Sequence, residues 1–388
     1  MTFYNATGKH PTSVLASERR AHDIVRKILS PGFSDRAMKA QEPVIGGYVD
    51  LLIRRMRTKS VDENGDIMPV NMRDWIAYCT FDLIGALAFG SDFGCLRDST
   101  YHPYVASMVN VVKDMSKFQV LQTLGLISTV DYIIRKLGGA HALDRHNEIS
   151  TRKALERMKL GSGQNDFMDG LVARNMGLGE LKENAGLMIA AGSETTATLL
   201  TGALCLITSD DRVYRKLKNE VRQQFDSEDQ ITLLSVNRLT YMLAVLRECL
   251  RCYPPIAGVA PRKVPRGGAV IAGHAVPEGA TVGIWHWAMY HDPKHFTDPF
   301  TFDPDRFVGG KGGARYADDR LDVLNPFLLG PRNCIGQNLA YAEMQLILAR
   351  LMWSFDMRLC EESKQWMEGQ KNYLFWYKPD LMMMLTPR

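Results

Sequence analysis

The stretch most able to do chemistry is Phe327-Leu-Leu-Gly330-Pro-Arg332-Asn-Cys334-Ile-Gly336, a loop with glycines on both sides of one cysteine, set just before a long apolar helix. A cysteine so placed is suited to ligate a metal as a thiolate. Glycines let the backbone turn tightly, the helix N-terminus and free backbone N–H groups stabilise negative charge, and Arg332 adds positive field. Phe327 is placed to shield the sulfur from water. A second feature is Glu248-Cys-Leu-Arg251, two opposite charges three residues apart and so on one helix face. Taken alone, such a pair is usually a solvated surface bridge.

These residues need elements to position them, and the sequence supplies mostly helices. Apolar periodicity predicts helices near 18–29, 36–57, 71–89, 101–118 and 141–160, a core helix through the apolar run 187–207, and further helices at 212–225 and 239–253. The last of these stops at Pro254-Pro255. Beyond the prolines, 269–271 and 281–287 are β-rich and separated by the turn-like Pro277-Glu278-Gly279, and 373–385 reads as a closing hairpin. The fold class expected is mainly α with a minor β region. One domain is expected over 1–388: a helical body at about 16–255 and 337–356, a sheet and loop region at about 256–336, and a tail hairpin at about 373–386.

Composition bounds the partners. At 388 residues, 46% apolar and 23% charged, the chain is neither disordered nor a disulfide-stapled miniprotein, and a net charge of +4 gives no ground for nucleic-acid binding. Seven cysteines without framework spacing fit a reduced compartment. The polar N-terminus has neither a signal peptide's apolar core nor a spanning helix, and Ser193, Glu194, Thr195 and Thr196 make the run 187–207 too polar for lipid. Cys249-x-x-Cys252 overlaps the Glu248/Arg251 helix and is set aside as a redox motif; His141 and His146 are wrongly spaced for a zinc pair; Gly309–Gly313 lacks a phosphate-loop context; and Met382–Met384 reads as packing.

The cysteine decapeptide resembles the haem-binding signature F-x-x-G-x-R-x-C-x-G of the cytochrome P450 family at every specified position. Glu248-Cys-Leu-Arg251 is similar to the family's E-x-x-R pair, Pro304-Asp-Arg306-Phe307 to its P-x-R-F segment, and Ala191-Gly192-Ser193-Glu194-Thr195 to its oxygen-activation motif. The resemblance implies a P450 fold, haem b with its iron on Cys334, and a buried cluster of Glu248, Arg251 and Arg306 that holds the cysteine loop. Phe327 and Gly336 belong to the cofactor loop, and Arg332, Arg262, His22 and Arg26 are implied partners of the haem propionates. Gly192 is expected to loosen its helix and leave room for a diatomic ligand, while Thr195 and Glu194 relay protons. The alternative is a helix whose hydroxyls bond back to its own carbonyls.

The activity that the resemblance implies is monooxygenation of a lipophilic small molecule with dioxygen. The electrons come from an NADPH-cytochrome reductase, which basic Arg19, Arg20, Arg26 and Lys27 are placed to steer. The texture is similar to fungal microsomal members that tailor secondary metabolites, which implies the cytosolic face of the endoplasmic reticulum membrane. The pocket is expected to be lined by Leu187, Met188 and Ala191, by Ile256 to Val259, and by Leu374 to Tyr377 including Phe375. By that resemblance, the family's anchor, first helices and first sheet strands are expected to have no counterpart in this sequence. Strands 269–271 and 281–287 are therefore expected to lose their partners and expose edges, with low solubility and weak haem retention. Two other readings stay open: a haem-binding remnant without catalysis, and a haem-thiolate isomerase or dehydratase.

Overall fold

The structure is a computed structural model that describes residues 13–106, 121, 124–126, 129, 136, 141–310, 314–373 and 375–388. Its longer helices are α1 (Arg19–Leu29), α2 (Asp35–Lys59), α3 (Met72–Phe89), α4 (His141–Lys159), α5 (Leu178–Ser209), α6 (Asp211–Gln224), α7 (Thr240–Cys252) and α8 (Gln337–Ser354). Most of the expected helix near 101–118 lies outside the described residues.

Two helices form the centre. Nearly every residue of α3 is buried, as suits a helix apolar all round, and it packs lengthwise on α5. Gly90 ends α3 in the left-handed conformation, φ +70°, which glycine alone adopts without a Cβ penalty. At the start of α5, Glu180 accepts the Gly177 N–H at 3.0 Å and satisfies a donor that the first turn leaves unpaired. Helix α7 stops at Tyr253 because Pro254 has no N–H to continue the ladder. One continuous cluster of buried apolar side chains joins α1, α2, α3, α5, α6, α7, α8 and the terminal strand. No helix among the described residues is long and apolar enough to cross a membrane.

The β structure differs from the sequence expectation in three places. First, β2 (Arg262–Lys263) pairs antiparallel with β5 (Thr281–Val282), and β3 (Ala269–Ile271) with β4 (His274–Val276), so both expected strands find local partners. They still leave apolar side chains open, with Val270 75% and Trp285 61% exposed. Second, the expected strand 281–287 ends at Val282. The chain then crosses Ile256–Val259, with an isolated bridge from Trp285 to Val259, and enters the short helix His286–Tyr290. Third, the tail is not one hairpin. A small pair, β7 (Lys371–Asn372) with β8 (Trp376–Tyr377), precedes β9 (Met382–Pro387). That strand runs antiparallel between β1 (Pro69–Asn71) and β6 (Phe355–Leu359).

Candidate functional site

Behind the cysteine loop lies a buried ion cluster. Glu248 and Arg251, on α7, and Arg306 have no exposed surface. Arg251 grips Glu248 through two bonds of 2.8 Å and spends its remaining donors on the carbonyls of Tyr290 (2.9 Å), Pro299 (2.6 Å) and Thr301 (2.9 Å). Arg306 lies 3.5 Å from Glu248 and makes its close ion pair with Asp319. Bidentate guanidinium–carboxylate geometry is what makes such burial tolerable. The cluster reaches the loop through Tyr290, whose hydroxyl accepts the Asn325 N–H at 3.2 Å, two residues before Phe327. Asp319 gave no sequence signal, because a lone aspartate in a turn-rich segment carries no message until the fold brings Arg306 to it.

The loop itself is held in a strained form. Leu328 has φ +62° and Gly330 φ +79°; for a leucine the left-handed region costs about 1–2 kcal/mol, and the surrounding contacts must impose it. The Cys334 N–H returns to the Phe327 carbonyl at 2.8 Å, closing the loop, and Phe327 packs at 5.3 Å on Tyr341 of α8. Cys334 is exposed, yet burial pushes its thiol above the ordinary value while the Gly336 N–H and Arg26 pull it down. A side chain open by area but surrounded by enough protein to disfavour its anion sits in a recess rather than on a free face.

The four expected propionate partners are placed differently from one another. Arg26 donates to the Asn333 carbonyl at 2.7 Å and to Asn333 Oδ1 at 2.6 Å, clamping the residue next to Cys334. Arg332 donates to the carbonyls of Leu15 and Ser17, which ties the loop to the turn before α1. Arg262 donates to the Pro261 carbonyl at 3.0 Å. His22 is buried, not superficial, with Nδ1 3.0 Å from Asp23 Oδ1.

Helix α5 runs unbroken through Ala191–Thr196. Ala191 is exposed halfway along α5, with Leu187 and Thr195 partly open on the same face. The Thr195 hydroxyl donates back to the Ala191 carbonyl at 2.6 Å, so its lone pairs remain available to accept a hydrogen bond on that open face. Back-bonding of this kind also occurs at Thr201 and Thr208. Gly192 does not face the opening. A Cβ there would stand 3.0 Å from Ile84 Cδ1, so close α3–α5 packing accounts for the glycine and the helix is not loosened. Glu194 points to the tail, where it pairs closely with Lys378. Of the expected pocket residues, Met188 and Phe375 are buried, Leu187, Ile256 and Val259 are partly buried, and Leu374 lies outside the described residues.

Sequence reasoning missed one further group. Glu343 of α8 has no exposed surface and neither oxygen has a geometric hydrogen-bond partner; burial drives its carboxyl up to about 8, with only Thr196 pulling it down. Its place nine residues after Cys334, amid the apolar face of α8, was the available signal.

These residues fit a haem. The described residues contain no group of three or more His, Cys, Asp or Glu able to hold a metal ion. A lone thiol in a recess suits a metal carried in a prosthetic group that would supply its other ligands. The open face at Ala191 has the small side chain such a bulky group requires. Two open grooves, about 840 Å³ along α6 and about 460 Å³ along α4, are lined mainly by charged and amide side chains and do not suit a lipophilic molecule.

Comparison with known proteins gives the same direction. The family model for cytochrome P450 matches residues 2–385. The chain is 40% identical over 392 residues to the cytochrome P450 monooxygenase tpeC of Talaromyces stipitatus, covering 99% of this chain and 75% of that protein. It is 41% identical over 395 residues to a trichothecene C-15 hydroxylase of Fusarium sporotrichioides, covering 98% and 79%. To the cytochrome P450 monooxygenase prhB of Penicillium brasilianum it is 40% identical over 390 residues, covering 100% and 78%. A family model spanning nearly the whole chain, with relatives at this identity, places the protein in the cytochrome P450 family of haem-iron monooxygenases.

Proposed function

We propose that this protein is a haem-thiolate monooxygenase in which Cys334 would hold the haem iron through its thiolate, acting on a lipophilic intermediate of fungal secondary metabolism with electrons from an NADPH-cytochrome reductase. The observation that carries this reading is the recessed Cys334, whose N–H closes onto the Phe327 carbonyl just before the start of α8. Bound through that thiolate, haem iron supplies the redox chemistry by which one atom of dioxygen enters the substrate. The protein's own residues then have separate tasks. Arg26, through Asn333, fixes the peptide next to the ligand. Arg332 and Arg262 stand at the loop and at β2 as partners for the propionates. Thr195, already a donor to Ala191, accepts a hydrogen bond on the open face and hands on a proton with Glu194. Leu187, Ala191, Ile256 and Val259 supply apolar wall, with Met188 and Phe375 behind it.

The hydroxylase among the relatives supports C–H hydroxylation as the reaction class, and the microsomal resemblance supports work at the cytosolic face of the endoplasmic reticulum membrane. Glu194 and Thr195 favour oxygen activation over isomerisation, which needs no proton delivery to dioxygen. The deciding experiment is the reduced carbon-monoxide difference spectrum of chain reconstituted with haem. A band near about 450 nm that Cys334→Ser abolishes is expected; a band near about 420 nm, or none, overturns the reading.

A further inference from the structure

We propose that Lys378, in the segment after β8, is the positioning residue that sets where Glu194 stands beside Thr195; the inference rests on the monooxygenase reading above. The Lys378 ammonium contacts Glu194 Oε1 and donates to Thr198 Oγ1 at 2.7 Å, and Thr198 in turn lies 3.3 Å from Glu194 Oε1. The triad is nearly enclosed, the lysine side chain being 7% and the glutamate 15% exposed. In so sheltered a place the attraction is weakly screened, and loss of one partner leaves a charge without compensation.

The lysine is delivered by a fixed frame, not by a loose tail. Arg73, at the start of α3, donates to the Lys378 carbonyl at 3.2 Å and pairs with Asp380 at 2.7 Å and Asp74 at 2.8 Å. On the other side Trp376 stacks 5.0 Å from Tyr253 and donates its indole N–H to the Pro254 carbonyl at 2.8 Å. The tail is thus anchored to α3 and to the end of α7, and Lys378 projects from between these anchors onto α5. Glu194 is the residue before Thr195, so the lysine that fixes one carboxylate also fixes its distance from the hydroxyl on the open face. A positioning contact of this sort governs which way a proton goes more than whether substrate binds.

Productive turnover combines a C–H bond, dioxygen, two electrons from NADPH through its reductase and two protons into an alcohol and water. When the protons arrive without the required placement, the same two electrons and two protons leave with dioxygen as hydrogen peroxide. Lys378→Met is therefore expected to keep the 450-nm carbon-monoxide band and substrate affinity while the alcohol formed per NADPH falls at least about fivefold and peroxide rises to match. Lys378→Arg, which keeps the charge on a different geometry, is expected to restore a part of it. A second readout needs no turnover: thermal melting of the haem-free chain with Lys378→Met, Glu194→Gln and both, where the double variant is expected to lose less than the sum of the singles. Additive melting losses, or unchanged alcohol per NADPH in Lys378→Met, overturn the proposal while a wild-type 450-nm band leaves the monooxygenase reading standing. Absence of that band in the wild type overturns the reading, and the melting cycle still decides the pair.

Discussion

The cluster behind the cysteine loop and the middle of α5 are both polar regions inside an apolar body, and they are built on opposite plans. Around Glu248 and Arg251 the charges have no exposed surface, and Arg251 reaches three separate carbonyls. Around Ala191–Thr198 one face is open, one hydroxyl is bonded only to its own helix, and one carboxylate depends on a lysine 184 residues away. The first plan over-determines a conformation and can therefore impose strain such as the left-handed Leu328. The second leaves the lone pairs of one hydroxyl open on the helix face and holds its carboxylate from the far end of the chain.

The largest break is expected in the rigid region. Arg251→Met leaves Glu248 buried without its bidentate partner and removes the bonds to Tyr290, Pro299 and Thr301, a loss of about 5 kcal/mol at the upper end of the range for one-sided disruption of a buried pair. The chain should fail to give a cooperative melt near neutral pH, and a melt within a few degrees of wild type would show that the cluster is not what holds the loop.

An effect of opposite sign is expected from Glu343, which is polar and buried but lacks the bonds of the first region. Its carboxyl ionises near the ordinary 4.5 in the unfolded chain but only at about 8 in the folded one. Between those values the folded state holds the extra proton, so stability is fully present below about pH 4.5, declines as pH rises, and has lost this contribution above about 8. That shift corresponds to an order-of-magnitude loss of about 5 kcal/mol. Glu343→Gln removes the titration, so the variant is expected to gain on wild type as urea midpoints are followed from pH 5 to 9. Parallel midpoints across that range would mean the carboxyl is solvated or paired.

How much of this was legible in the sequence obeys the same division. The cysteine loop and Glu248–Arg251 are local patterns, readable because their spacing alone fixes a turn or a helix face. Most helices were legible from periodicity, and α5 from its apolar run 187–207, although the helix begins earlier, at Leu178. Pairings across the chain were not: Asn333 with Arg26, Asp319 with Arg306 and Lys378 with Glu194 exist only once the fold closes. The tail shows why strands fare worse. The apolar run Met382–Leu385 suits a strand but does not say that β1 and β6, not a neighbouring strand, will flank it. Likewise the aromatic and branched residues of 281–287 read as strand, while contacts with Ile256–Val259 end the ladder after two residues.

The smallest effect comes from Gly192, and it separates two explanations of the same residue. If the glycine leaves room for a small ligand, Gly192→Ala narrows the open face, weakens carbon-monoxide binding and leaves stability unchanged or improved by the better helix propensity, about 1 kcal/mol. If it serves the α3–α5 contact, the new methyl presses on Ile84, which is 1% exposed and has little room to move. Overpacking costs about 1–3 kcal/mol, so after the propensity gain the net loss is expected to be about 1 kcal/mol, with carbon-monoxide affinity untouched. The structure puts Ile84 in the path of that methyl, and Ile84→Val should then restore stability to Gly192→Ala by removing the atom it meets. Restoration would assign the glycine to the packed side of α5; weakened carbon-monoxide binding that Ile84→Val does not repair would assign it to the open side.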